Sequence, residues 1–289
     1  MKQINNKNIT IKVNEKGAEL KSFNCNDKEY IWYSDPKFWS RSAPFLFPIV
    51  GSIKDKKTKI NGKEYYLSQH GFLRDQMFTL VDEKNNYLKF ENTYDENTLK
   101  LYPFKYKAVI EYEIDNNSVK TTITITNIGD DVMPFNIGGH PAFNVPLYDN
   151  EKFNDYKIVF TNEETFSSPK VCEGGLLDFN TPVYSLTNAK EIKLEKDIFT
   201  IDTILIPNVK SKTIKLVNKD NKGVEFTYDN FTTLAIWTPY NEAPFICLEP
   251  WKGYNDKVDT NGDYLTKDEL VYLNKNESFV CSYKIKALE

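Results

Sequence analysis

Apolar and polar residues alternate with a period of two along much of this chain, and that pattern restricts it to an extended, half-buried sheet architecture. From Tyr102 to Ile114 the even positions read Tyr102, Phe104, Tyr106, Ala108, Ile110, Tyr112 and Ile114, while Lys105, Lys107, Glu111 and Glu113 occupy odd ones. Side chains on a strand point alternately to its two faces, so one face of this segment is predicted to be buried and the other wetted. Val119, Thr121, Ile123 and Ile125 repeat the pattern, and Asn116-Asn117 between the two runs reads as a hairpin turn. It recurs in Val224, Phe226 and Tyr228 and in Phe279, Cys281, Tyr283 and Ile285. Asn61-Gly62, between Thr58–Ile60 and Lys63–Leu67, is a two-residue hairpin signal, since both residues tolerate positive φ. Helical signals are few; Ser34–Trp39, with Pro36 at an early helical position, predicts one short helix. The expected fold class is all-β: a large antiparallel β-sandwich, with residues 1–289 forming one domain.

Composition narrows the partners. The net charge is −4, and lysines are interleaved with acids, so no nucleic-acid partner is expected. Met1–Thr10 is polar without an apolar segment, and no run approaches a membrane span, so neither a signal peptide nor a membrane partner is expected. Cys25, Cys172, Cys247 and Cys281 are widely spaced and form no metal-type pairs; free thiols in a reducing cytoplasm are the expectation. Asp259–Asp263 has its glycine at the fourth position of a would-be calcium loop and Leu270 where a glutamate is required, so it reads as an acidic surface loop. With two histidines and scattered cysteines, no zinc site is expected.

Scarcity marks the chemistry. Of 37 basic residues only Arg41 and Arg74 are arginine, and the only histidines are His70 and His140. Histidine donates and accepts protons near neutral pH, and arginine offers a rigid fork of donors that lysine lacks. In Gly138-Gly139-His140-Pro141 the glycines allow close backbone approach or unusual φ, and Pro141 biases His140 toward an extended conformation. A stiffly held imidazole with open space beside it is the expectation; a strand-end histidine bonded to a carbonyl is the plain alternative. His70 falls in a turn-like stretch before Gly71, with Arg74 four residues later. Alternation places Glu249 on the face of Phe245, Cys247 and Trp251, where a carboxylate is either paired or functional, because an isolated buried charge is very costly. A raised pKa would suit it to general base work. Asp202 lies in an apolar, strand-like run, and spacing alone reads it as an exposed-face acid.

Taken together these segments resemble the aldose 1-epimerase (galactose mutarotase) family, in particular its LacX-like branch. The resemblance runs through Gly17-Ala18-Glu19-Leu20, Trp39–Gly51, the His70 segment, Gly139–Asn144, the Asp202 segment and Cys247–Trp251. It implies a β-supersandwich with the site in a cleft across one sheet, a small-molecule sugar as partner, no cofactor, and a monomer or homodimer. By motif, His140 would be the general acid on the pyranose ring oxygen and Glu249 the general base on the C1 hydroxyl. His70 and Asp202 would contact the sugar, as would Arg41 and Arg74, with Phe143 and Trp251 nearby as aromatic wall. The chain departs from better-studied members in lacking an Asn-Arg pair before the first histidine and in having Gly138-Gly139 before the second. A free aldohexose, a hexose 6-phosphate and a non-catalytic sugar-binding role all stay open. A glycoside hydrolase would need two carboxylates flanking the bond, and only Glu249 is well placed.

Overall fold

The computed structural model describes residues 1–289, and every strand ladder in it is antiparallel. A nine-stranded sheet runs from Leu177–Lys193 at one edge to Thr79–Lys84 at the other. Its centre is built from the strands with the cleanest alternation: Tyr106–Asp115, Ser118–Asn127 and Ser278–Leu288. Tyr106, Ala108, Ile110, Tyr112, Val119, Ile123, Ile125, Tyr283 and Ile285 are all buried, as the period requires. The turns at Asn116 and Asn61 adopt positive φ, and both hairpins form in the expected register.

A second, six-stranded sheet has shorter strands, with Phe245–Lys252 near its centre, paired on one side with Thr233–Trp237 and on the other with Ile137–Gly139 and Ala142–Asn144. One cluster of 65 buried residues joins the two sheets, and Ile246 and Leu248 belong to it. The alternate residues Phe245, Cys247 and Trp251 pack into separate small clusters on the other face. Period-two geometry thus gives this strand two buried faces, one in the core and one beneath a layer of loops. That layer includes the tip of a long hairpin, Lys157–Val171 with Leu177–Lys193, whose Leu177 joins Trp251 and Leu205.

Two local expectations are corrected. Ser34–Trp39 is a turn: the Asp35 carbonyl accepts the amides of Phe38 and Trp39, and the Trp32 indole then takes the Trp39 carbonyl, so no helix propagates. The α-helix is Glu96–Leu101, started by Asp95, whose side chain accepts the Thr98 amide while Thr98 Oγ1 accepts the Asp95 amide. Tyr102 ends that helix rather than opening the strand, which begins at Tyr106. The four cysteines are unpaired. No helix is long and apolar enough to cross a membrane.

Candidate active site

A cleft of about 370 Å³ opens on the outer face of the six-stranded sheet, and His70, Arg74, His140, Asp202 and Glu249 all line it. His140, Asp202 and Glu249 lie 70, 132 and 179 positions beyond His70 in sequence and meet it there, His140 because it directly follows the strand Ile137–Gly139 that pairs with the strand of Glu249. Gly138 pairs with Trp251 and Leu46, so the narrow strand Ile137–Gly139 runs between two others. A Cβ on Gly138 would stand 2.7 Å from Trp251 Cδ1, and one on Gly139 would stand 2.7 Å from Tyr283 Cε1. The two glycines therefore serve close approach, and the space beside them is filled by rings rather than open.

His140 Nε2 lies 3.0 Å from Glu249 Oε2, and both side chains are almost wholly buried. Burial, then the nearby Arg74 and Arg41, hold the His140 imidazole down to about 3. Burial and the neighbouring Asp202 push the Glu249 carboxyl well above the usual range, with a smaller opposing pull from the Trp251 indole. Desolvation penalises the imidazolium and the carboxylate alike, so both shifts favour a neutral ring beside a protonated carboxyl. His140 Nδ1, Trp251 Nε1 and Arg74 Nε are buried without a hydrogen-bond partner, and the only polar neighbour of Glu249 Oε2 is His140 Nε2. Such groups are rare in folded proteins, and these four residues, among the seven that carry one, all line the cleft, which marks it as a place for a polar ligand.

His70 has φ +65°, and Gly71 must be glycine, because its Cβ would fall 2.1 Å from the Phe47 carbonyl oxygen. The Gly51 amide donates to His70 Nδ1 at 3.0 Å, which leaves the ring proton on Nε2. Burial first, and the charges of His140, Arg74 and Arg41 after it, keep this ring neutral by pushing its pKa well down. Asp202 sits in a turn at φ +77° just before the strand Ile204–Pro207, not within a strand, and accepts from Thr203 Oγ1. Arg74 donates to the Gln69 carbonyl at 2.7 Å; burial lowers its pKa only to about 10, so it stays cationic at neutral pH.

Arg41 and Phe143 depart from expectation. Arg41 does not line the cleft; its guanidinium is drawn to Asp75, 3.0 Å away, a carboxylate that Lys16 also approaches. Phe143 pairs with Ile246 and packs on Phe226 in the core, because alternation turns it away from the cleft. The aromatic wall is tryptophan: Trp39, Trp237 and Trp251 line the cleft, and Trp32 supports Trp39 from behind. Only Trp251 among these was expected. The chain has just four tryptophans, so the scarcity argument applied to histidine and arginine extends to them. The Cys247 thiol lies beneath the pair, within 4.8 Å of the donor atoms of His140 and Glu249. Burial, and then the neighbouring Glu249, push it well above the usual thiol range.

Comparison with known proteins gives the family and the fold. A family model described as aldose 1-epimerase matches residues 2–285. The plasmid-encoded protein LacX of Lactococcus lactis subsp. lactis is 32% identical over 295 residues, with 99% of each chain covered. The galactose mutarotase related enzyme of Lactobacillus acidophilus superposes with a TM-score of 0.93 at 27% identity, covering 100% of this chain and 97% of that one. A galactose mutarotase-like protein of Lactobacillus casei ATCC 334 gives 0.90 at 28% identity, with 99% of each chain covered.

Proposed function

The chain belongs to the aldose 1-epimerase family, and on that premise we propose that it is a mutarotase interconverting the α and β anomers of a free aldohexose. The observation that carries the reading is the buried His140–Glu249 pair, 3.0 Å apart, with unsatisfied atoms facing a cleft. Mutarotation needs one proton delivered to the ring oxygen and one removed from the C1 hydroxyl, two atoms bonded to the same carbon. Two groups that share a single proton suffice, and no redox or group transfer is involved.

In this scheme the proton resting on Glu249 crosses to His140 Nε2, giving imidazolium and carboxylate. His140 protonates the ring oxygen as Glu249 takes the hydroxyl proton; the C1–O5 bond breaks and C1 becomes an aldehyde carbon. Rotation about C1–C2 presents the other face. Ring closure returns both protons with the roles exchanged. The pair begins and ends with one proton, so turnover leaves the enzyme unchanged and consumes no cofactor. His70 Nε2–H and the Arg74 guanidinium donate to sugar oxygens, Asp202 accepts from hydroxyls, and Trp237 and Trp251 cover the apolar ring face.

The lining favours a neutral sugar over a hexose 6-phosphate. A phosphate pocket would bring Arg41 and Arg74 together with a lysine, yet no lysine lines the cleft and Arg41 is engaged by Asp75. The test is polarimetry on freshly dissolved α-D-glucose and α-D-galactose with wild type and Glu249→Gln. Faster equilibration with wild type alone supports the reading. No acceleration of either sugar overturns it, and binding of either sugar without turnover would then indicate a sugar-binding protein.

A further inference from the structure

Most histidines that act on protons have one ring nitrogen fixed by a hydrogen bond, which sets the plane of the ring and aims the other nitrogen. His140 lacks that support: its Nδ1 is buried with no partner. Something else must hold Nε2 toward Glu249. The Trp39 indole lies face to face on the imidazole, with centroids 4.8 Å apart and planes 26° from parallel. Trp237 and His70 meet the same ring edge-on, at 83° and 85°.

Trp39 is itself firmly seated. Its amide donates to the Asp35 carbonyl at 2.9 Å, and its carbonyl accepts the Trp32 indole N–H at 2.9 Å. Its ring stacks over Phe245 at 25° and meets Trp237 edge-on. It comes from a loop outside the sheet that carries His140, and it is only partly buried. The stack thus adds nothing that the strand ladder needs.

We propose that Trp39 is a positioning residue for His140: its indole face fixes the imidazole plane so that Nε2 stays aimed at Glu249, and it supports the ring while it is cationic. An aromatic face attracts a cation set over it, most strongly where water is excluded. That attraction opposes the neighbouring Arg74 and Arg41, which disfavour the imidazolium, and works alongside Glu249 and Asp202. The inference rests on the mutarotase reading in taking His140 as the acid, but its structural half does not depend on turnover.

With only two histidines, ring nitrogens labelled with nitrogen-15 give two readily separated sets of resonances. Trp39→Leu keeps apolar bulk and removes the aromatic face; Trp39→Phe keeps a face. In Trp39→Leu the His140 signals should broaden or average between ring orientations, while the thermal midpoint and the far-ultraviolet circular dichroism stay at wild-type values and report an intact fold. Its kcat should fall about tenfold with KM changed less than about twofold, and Trp39→Phe should restore kcat to within about threefold of wild type. Should Trp39→Leu fail to fold, Trp39→Met is measured with the same expectations. Wild-type His140 resonances in the leucine or methionine variant would overturn the proposal, as would a change confined to KM. If wild type itself accelerates no sugar, the mutarotase reading falls, and the nitrogen spectra still decide whether Trp39 orients the ring.

Discussion

The sheet side and the loop side of the cleft treat their polar atoms in opposite ways. On the sheet side, His140 Nδ1 and Trp251 Nε1 are buried with no hydrogen-bond partner, and Glu249 Oε2 meets only His140 Nε2. On the loop side, His70 Nδ1 is bonded to the Gly51 amide, Arg74 to the Gln69 carbonyl, and Arg41 to Asp75; Arg74 Nε alone stays open. Each buried unpaired group costs about 1–3 kcal/mol, so a fold that keeps such groups together does so where another molecule can engage them. On the mutarotase reading proposed above, the difference is a division of labour: the open side acts on the sugar, and the closed side is a prebuilt frame that orients it.

The sharpest way to break this comparison is Glu249→Gln. Burial favours the protonated carboxyl, so an amide of the same shape replaces it at little cost to the fold, yet it cannot carry a proton between oxygens. Polarimetry should show kcat reduced about 10³-fold with the thermal midpoint nearly unchanged, within the range for loss of a general acid or base. Retained wild-type activity would place the base elsewhere.

His140→Asn should cost about 10²-fold by the same assay, and pH adds an independent check. The folded imidazole refuses a proton from its ordinary 6.5 down to about 3. Between those values the unfolded state binds more protons than the folded one, so stability is greatest above the window and falls as pH drops through it. His140→Asn removes that loss, and its deficit in denaturation experiments relative to wild type should shrink from pH 7 to pH 4. The wild-type kcat/KM profile should likewise lack an acid limb near 6.5, because the pair takes its second proton only far below. A limb at the ordinary histidine value would show that the ring is solvated.

Legibility differed between the two sheets for a physical reason. The nine-stranded sheet has one face in the core and long strands, so alternation exposes it directly, as in Tyr106–Asp115. The site sheet is covered on both faces and broken into strands as short as Phe45–Leu46, so Phe245–Trp251 is buried throughout and periodicity cannot say which face is the site. His140 and Glu249 were found through their motifs, and Asp202 through resemblance alone. Trp39 and Trp237 were missed because their part depends on stacking between a loop and a strand far apart in sequence. Glu19, noted only as part of a motif, turns out to accept the amides of Ser42 and Ala43, which ties the Trp39–Pro44 segment to the start of the strand Leu20–Cys25. Arg41 was misplaced because the competing claim of Asp75 depends on how the Leu73–Asp75 turn folds back.

Arg74→Lys sharpens the frame side of the comparison. One guanidinium bonds the Gln69 carbonyl through one nitrogen and still has Nε without a partner, whereas a single ammonium cannot hold that planar arrangement. Titration with a non-turning sugar analogue should show binding weakened about tenfold, equal to about 1.4 kcal/mol, with kcat changed far less than by Glu249→Gln. An equal fall in kcat would move Arg74 to the reacting side.

The smallest effect belongs to Arg41→Lys. Arg41 is a quarter exposed and Asp75 nearly half, so the pair is worth about 0–1 kcal/mol. Lysine can replace a single charge contact at that distance, and nothing of Arg41 lines the cleft. Stability and kcat/KM should both stay within about twofold of wild type in population or rate terms. A large loss of kcat/KM with stability retained would mean that Arg41 leaves Asp75 for the sugar when substrate binds. The loop side would then be a frame that opens rather than one already closed, and the contrast with the sheet side would hold only for the empty cleft.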